Sequence, residues 1–288
     1  MELKTILKEA AEYLKYYGVA FEDREAAYIL MDLLGITSLA QLREHSFISD
    51  DVLLAYYQKL KFRGERCPTA YIHGSVSFLG LSLIVDSRVL IPRMETEILA
   101  EQVIKYILAH SEIQTVYDVC CGSGCLGLAI KKFCPHIKVF LSDICPKAVS
   151  VAKQNAVNNG LNVEVFLGDL FDPYSSPGDV LVCNPPYLSF KEVMRVDPEV
   201  RCYEPWKALV GGATGLEFYI RIAENLSKIL HPHGVGWLEI GYNQGIQVQT
   251  IFSKYGISGR LQKDLSGWDR FFFLEMDASD PVSSAVYS

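Results

Sequence analysis

The chain has 288 residues, of which 50% are hydrophobic and 21% charged, and its formal net charge is −7. That length allows a full α/β domain with a smaller companion, and the apolar fraction describes a well-cored globular protein. An acidic balance, with a sequence pI of about 5.4, argues against a general nucleic-acid binder, which carries a basic surface.

No apolar run approaches the ~18 residues that a membrane span needs. Met1 to Gly18 alternates charged and apolar residues at helical spacing and lacks a signal-peptide core, so a cytoplasmic protein is expected. The eight cysteines contain no C-x-x-C pair. Reduced thiols and no metal site are expected from that spacing.

Residues 1 to about 75 read as helical. Leu3, Ile6, Leu7, Ala10, Ala11 and Leu14 form one apolar stripe that Gly18 can end. A second helix runs from about Asp23, a candidate N-cap, to Gly35, and a third follows Ser49 towards Phe62. Val76 to Ile91 changes period and reads as short strands or a hairpin, a connector over 76–92. Glu95 and Glu97 then precede a helix of about Ile98 to His110, where their carboxylates suit the positive end of the helix dipole.

From residue 115 strand and helix alternate, which implies a parallel sheet covered on both faces. Strands are expected at Val116–Cys120, Val139–Ser142, Val163–Leu167, Val180–Cys183, Val235–Ile240 and Arg270–Met276. Helices are expected at Leu126–Phe133, Lys147–Asn158, Leu216–Leu230 and Gln244–Tyr255. This α/β region spans 93–277, and the small polar residues 278–288 read as a frayed tail.

Two loops carry the chemistry. The fourth strand stops at Asn184-Pro185-Pro186-Tyr187. Proline forces Asn184 into extended backbone, and neither proline donates an N–H. The loop therefore offers carbonyl oxygens and one side-chain amide, which suit a flat NH2 group, although a rigid turn alone also accounts for it. The first strand-to-helix turn reads Asp118-Val119-Cys120-Cys121-Gly122-Ser123-Gly124, and Gly122, Gly124 and Gly127 fit a dinucleotide fingerprint. Asp143 follows at a strand end suited to ribose hydroxyls. This much permits either NAD or S-adenosyl-L-methionine. Asp169 with Leu170, suited to an adenine amino group, and the acceptor-only loop favour the second, since hydride transfer has no evident use for that loop.

With these motifs the chain resembles the protein-(glutamine-N5) methyltransferases that modify the Gly-Gly-Gln glutamine of class 1 peptide-chain release factors. The resemblance covers nearly the whole chain. It includes Ala70 to Gly74, Val89 to Glu97, the Gly-rich turn, Asp143, Asn184 to Tyr187, Tyr203-Glu204-Pro205, Leu238 to Gly241, and Asp264, Gly267, Asp269 and Arg270. It departs at Cys120-Cys121, where the family usually has Gly-Thr, and at Met94, where it has proline. A β-carbon at 120 would tighten the cofactor turn, and Met94 removes a rigid residue near the active site.

The resemblance implies a class I S-adenosylmethionine-dependent methyltransferase fold, with a seven-stranded, mostly parallel, doubly wound sheet, a small all-helical N-terminal domain and a β-hairpin connector. It implies that Cys120, Cys121, Gly122, Ser123 and Gly124 border the methionine end of the cofactor, Asp143 its ribose, and Asp169 with Leu170 its adenine. Asn184 would touch cofactor and substrate. The Asn184 oxygen and Pro185 carbonyl would accept the two amide N–H bonds, with Pro186 in the same loop and Tyr187 packed on the amide plane. A release factor docked on the helical domain, a monomer, and no direct nucleic-acid binding are the expected associations. A DNA or RNA base amino-methyltransferase using the same loop is the alternative, against the acidic pI and the missing target-recognition insert. A non-catalytic cofactor-binding protein is a further one, which has no need to keep that loop intact.

Overall fold

The computed structural model describes residues 2–45 and 47–276, so the expected tail at 278–288 lies outside the described residues. The chain divides into two compact units, Met1–Ser75 with Val196–Tyr203 and Val76–Arg195 with Glu204–Ser288. Segment 196–203 thus counts with the first unit, although sequence order places it inside the second. Among the described residues no helix is long and apolar enough to cross a membrane.

The first unit contains α1 (Leu3–Tyr16), α2 (Glu22–Leu34), α3 (Leu39–Glu44), α4 (Asp50–Gly64) and α5 (Thr69–His73). The stripe of Ile6, Ala10 and Leu14 packs on Ala26, Ile29, Leu30, Tyr56 and Leu60. Gly18 and Gly35 close α1 and α2 at φ 71° and 66°. Asp23 is not the cap of α2. The helix starts at Glu22 with Phe21 in the cap position, and Asp23 lies in the first turn with Glu22 and Glu25, where carboxylates suit the dipole. The short α3 escapes periodicity but carries a Ser38/Gln41 capping box. Arg63 joins Glu25 and Glu199, each at 3.1 Å, and Arg66 holds both Glu199 oxygens at 2.7 Å.

In the second unit β1 (Ser75–Phe78) and β2 (Leu81–Ile84) form the expected hairpin. Its turn residues Leu79 and Gly80 both have positive φ, the geometry that matches strand twist. Next comes α6 (Met94–Ala109), which begins four residues before the expected Ile98. Glu95 and Glu97 lie in its first turn, and Glu97 also accepts the Leu79 N–H at 2.9 Å. Met94 is the first helical residue and is 76% exposed. That is a position where proline is well tolerated.

There follow β3 (Thr115–Val119), α7 (Cys125–Phe133), β4 (Lys138–Asp143), α8 (Pro146–Asn158), β5 (Glu164–Leu167) and β6 (Gly178–Cys183). Then come β7 (Leu188–Ser189), α9 (Phe190–Val193), α10 (Pro198–Tyr203), which counts with the first unit, β8 (Val210–Gly212), α11 (Glu217–Ile229) and β9 (Leu230–Glu239). The described chain closes with α12 (Gly245–Lys254), β10 (Ser258–Lys263) and β11 (Asp269–Glu275).

Seven strands make one sheet in the order β10-β11-β9-β6-β3-β4-β5. Strands β9, β6, β3, β4 and β5 are parallel, β11 alone is reversed, and β10, antiparallel to β11, runs in the direction of β9. Strand β10 was not anticipated, because Ser-Gly-Arg-Leu-Gln-Lys at a sheet edge has no buried apolar run. Alternation on the central strands explains the two cores. Val116, Val180 and Val182 face one cluster with Leu99, Val103 and Leu126. Tyr117, Val119, Leu181 and Cys183 face the other, with Tyr219, Leu226 and Phe252. The chain winds from β3 to β4 and β5 on one side, then returns to place β6 on the other. The strand order therefore reverses between β3 and β6, where open α/β sheets bind ligands beyond the strand ends.

Candidate active site

Val119 pairs with Cys183 across the reversal point, so Cys120 and Asn184 leave adjacent strands side by side. Register alone thus brings the Gly-rich turn beside the Asn-Pro-Pro-Tyr loop. The turn is held by the Cys121 N–H donating to Ser142 at 3.0 Å and the Gly124 N–H donating to Cys121 at 2.7 Å. Cys120, Gly122 and Gly124 all have positive φ, at 59°, 54° and 82°. At Cys120 this is strained for a residue with a β-carbon, by roughly 1–2 kcal/mol. A glycine there would adopt it freely. A β-carbon built on Gly122 meets nothing within 4 Å, so the backbone there is open to a ligand. One on Gly127 would lie 2.9 Å from Asp118 Oδ2, so that glycine serves close packing of α7 on β3.

Asp118 accepts the Gly127 N–H through Oδ2 at 2.8 Å. Its Oδ1 is buried without a hydrogen-bond partner, and burial pushes the carboxyl up to about 7. Asp143, at the end of β4, accepts the Gly122 N–H on Oδ2 at 3.0 Å and the Cys145 N–H on Oδ1 at 2.8 Å. Burial raises its pKa, against those backbone donors and Lys207. Each of its oxygens keeps a second lone pair for a ligand hydroxyl. Asp169 Oδ2 accepts a hydrogen bond from Arg221 at 2.8 Å, and Leu170 beside it has φ 47°.

These residues share one cleft of about 950 Å³, counting its open mouth. Of the residues singled out in the sequence, Cys120, Cys121, Gly122, Ser123, Asp143, Asp169, Leu170, Asn184 and Pro186 line it. Gly124, Pro185 and Tyr187 do not. Gly124 sits behind the turn as the cap of α7, where an added β-carbon would meet Leu141 at 3.1 Å. Tyr187 packs against the second core cluster, and its carbonyl accepts the Gln244 Nε2–H at 2.8 Å.

The Asn-Pro-Pro-Tyr loop is pressed between glycines. A β-carbon on Gly211 would fall 2.3 Å from the Pro186 carbonyl oxygen, and one on Gly215, at φ 81°, 2.3 Å from that of Tyr187. Backbone atoms cannot rotate aside as a side chain does. Gly211→Ala is therefore expected to displace the loop, costing about 2 kcal/mol, and a thermal melt should show a Tm lowered by about 4–8 °C.

Sequence reasoning assigned no role to several groups here. Leu90, Pro92, Pro205, Lys207 and Phe218 complete the cleft wall. The buried Glu204 pairs with Arg93 and accepts the Ile91 N–H at 3.3 Å, joining the two loops that carry Pro92 and Pro205. Beneath Asn184, its Nδ2 lies 3.4 Å from Thr96 Oγ1, and Thr96 Oγ1 lies 2.7 Å from Glu239 Oε2. The segments containing these residues were visible as motifs, but their pairing depends on long-range packing.

Comparison with known proteins fits this geometry. Residues 94–198 match the methyltransferase small domain family, and residues 5–74 match the PrmC N-terminal domain family. The chain is 58% identical over 286 residues to a release factor glutamine methyltransferase of Chlamydia trachomatis serovar L2, covering 99% of this chain and 98% of that one. A protein of the same name from Thermodesulfovibrio yellowstonii is 37% identical, over 90% of this chain and 95% of its own. Among solved structures, the hMettl16 catalytic domain in complex with the MAT2A 3′UTR hairpin 6 superposes with a TM-score of 0.53 at 16% identity, over 83% of this chain and 86% of that one. At that identity the likeness establishes the class I methyltransferase fold alone.

Proposed function

This chain belongs to the release factor glutamine methyltransferases, and we propose that it methylates the side-chain nitrogen of the Gly-Gly-Gln glutamine in class 1 peptide-chain release factors, drawing on S-adenosyl-L-methionine. The observation that carries this is the adjacency of Asn184 and Pro186 to the Gly-rich turn within one cleft. The residues fit the cofactor. Gly122 is open to a ligand, Asp118 has an orphaned buried oxygen, and Asp143 and Asp169 each keep acceptor capacity.

When bound, S-adenosyl-L-methionine supplies a strongly electrophilic methyl on a sulfonium. Cys120, Cys121, Gly122 and Ser123 would hold its methionine part, with Gly124 shaping the turn behind them, Asp143 its ribose hydroxyls, and Asp169 Oδ1 with Leu170 its adenine. The protein's own work is orientation and electrostatics, because an amide nitrogen is a poor nucleophile with its lone pair delocalised. The Asn184 side-chain oxygen would accept one amide N–H at the cleft wall, and the carbonyl of Pro185, between the lining residues Asn184 and Pro186, is the proposed acceptor of the other. They aim the nitrogen at the methyl and offset the charge that grows on it. Tyr187 supports the loop from the core side. Transfer of that methyl would leave the nitrogen acidic enough to release one proton to solvent, so the site needs no strong base.

Methyl transfer from labelled cofactor to purified release factor tests the reading. Label is expected on the wild-type factor and absent from one with the Gly-Gly-Gln glutamine changed to alanine. Label on DNA or RNA run in parallel would overturn it in favour of base methylation.

The cofactor half of the site makes its own prediction. Both Asp143 oxygens accept backbone N–H groups, so the amide of Asp143→Asn must face donor to donor at one of them. Such a loss costs about 1–3 kcal/mol. Cofactor affinity measured by calorimetry should fall roughly tenfold or more.

A further inference from the structure

We propose that Thr96 and Glu239 are positioning residues that fix which way round the Asn184 side-chain amide meets the acceptor nitrogen. The proposal rests on the glutamine-methylating reading of the site and adds to it two buried groups that the transfer itself does not touch.

The two ends of an asparagine amide are alike in shape and opposite in polarity. An acceptor NH2 about to be methylated offers two N–H bonds and must keep its lone pair for the methyl. Only the Asn184 oxygen suits it, so the Asn184 NH2 must be engaged elsewhere. Thr96 lies where that engagement is needed, with Oγ1 3.4 Å from Asn184 Nδ2. A hydroxyl has one proton and two lone pairs. By itself Thr96 would serve either end of the amide equally well.

Glu239 removes that ambiguity. Its Oε2 lies 2.7 Å from Thr96 Oγ1, and an ionised carboxylate only accepts. The single Thr96 proton is therefore committed to Glu239, and lone pairs alone face Asn184. Nδ2 donates to them comfortably, whereas the reversed amide would set oxygen against oxygen. Thr96 and Glu239 are 1% and 2% exposed, so water does not scramble the arrangement. The end of β9 is itself held, since the Tyr219 hydroxyl donates to the Glu239 carbonyl at 3.0 Å. The buried carboxylate thus sets a polarity that passes through one hydroxyl to the acceptor loop.

The relay holds only while Glu239 is charged. Once protonated, Glu239 can donate to Thr96, and the freed Thr96 proton then favours the reversed amide. Burial pushes the Glu239 carboxyl up to about 7, opposed by the Thr96 hydroxyl, Arg270 and Arg93 and reinforced by Glu95. Tyr187, Tyr219 and Cys125 also lie within reach of its charge.

The test combines Thr96→Val, Thr96→Ser and Glu239→Gln in steady-state methylation of release factor with calorimetry of cofactor binding. Thr96→Val is expected to lower kcat about 10–100-fold, the effect of mis-aiming a reacting group, with the KM for release factor and cofactor affinity within about threefold of wild type. Thr96→Ser, which keeps the hydroxyl, should stay within about threefold in kcat. Glu239→Gln, whose amide can donate to Thr96, should lose about tenfold in kcat and lack the acid limb expected of wild type. Unchanged kcat in Thr96→Val, or a loss in Thr96→Ser as large as in Thr96→Val, overturns the proposal.

A second readout needs neither turnover nor those variants. In wild-type protein labelled with 15N-asparagine, the Asn184 side-chain NH2 signal, assigned by its loss in Asn184→Asp, should shift with pH through the Glu239 transition. A signal unmoved across the whole pH range in which the protein stays folded overturns the relay. Wild-type enzyme that fails to methylate release factor refutes the functional reading instead, so the two failures are separable.

Discussion

Asn184→Ala is expected to abolish methyl transfer to release factor, lowering kcat by about 10³-fold, while cofactor affinity stays within a few fold. The glutamine amide has no nucleophilic strength to spare, so catalysis at this site rests on aiming the nitrogen and stabilising the charge it gains. Removing one preorganised partner of a developing charge costs about 10²–10³ in rate in other enzymes. Here the same side chain also aims the nitrogen, which places the expectation at the upper end. Asn184 lines the cleft beside the turn but makes its hydrogen bond to Thr96, so deleting it leaves the Asp143 and Gly122 contacts intact. Single-turnover transfer and calorimetry on the same preparation separate the two effects. A variant that retained more than about a tenth of wild-type kcat would remove Asn184 from the central role, because a positioning loss of that size is below what one oriented hydrogen bond supplies.

Asn184→Asp makes a sharper comparison. Aspartate keeps the shape and two acceptor oxygens but has nothing to donate to Thr96, whose proton is already committed to Glu239. It also sets a second carboxylate near a buried one, and like charges in such a pair raise one pKa. Activity is expected to stay far below wild type although an acceptor oxygen faces the substrate. This outcome would distinguish a need for any oxygen from a need for a neutral, anchored one.

What the sequence disclosed and what it hid follow from the same physics. The period-2 pattern of Val116 to Val119 and of Val180 to Cys183 was legible because each residue is committed to one of two cores. The loops that stop those strands are marked by glycine and proline, which constrain backbone locally. Strand β10 was hidden because its Arg260 and Lys263 sit at an edge, where no burial is enforced. The carboxylates of Glu95 and Glu97 do sit at the positive end of α6, but the helix starts four residues earlier than Ile98 because Thr96 between them turns inward to Glu239, a contact with no local signature. Partnerships such as Thr96 with Glu239, or Arg93 with Glu204, span more than a hundred residues of sequence and leave no local signature.

The Arg93–Glu204 pair should give the largest stability effect. Glu204 is 3% exposed, and it is held by the Arg93 guanidinium and by the Ile91 backbone N–H. Burial raises its pKa, and the Arg93 guanidinium opposes that rise. Arg93→Ala leaves a buried carboxylate with one backbone donor. Breaking a buried pair in this way costs about 3–5 kcal/mol, and the partly exposed guanidinium places this case near about 3. For a unit of this size that corresponds to a Tm lowered by about 6–12 °C.

The sign of the pH dependence follows from the direction of the shift. A carboxyl whose folded pKa lies above its unfolded value binds its proton more tightly when folded. Its effect on stability is absent well below the unfolded pKa and becomes a full penalty above the folded one. Removing Arg93 raises the folded pKa further, so the variant's deficit should be small at pH 5 and largest at pH 8. Adding Glu204→Gln should recover most of the loss at pH 8, because the neutral amide needs no countercharge. A deficit equal at both pH values would assign the loss to packing of the Arg93 stem. Cofactor affinity should fall with stability in Arg93→Ala, since this pair joins the loop carrying Leu90 and Pro92 to the one carrying Pro205 and Lys207, which together wall the cleft.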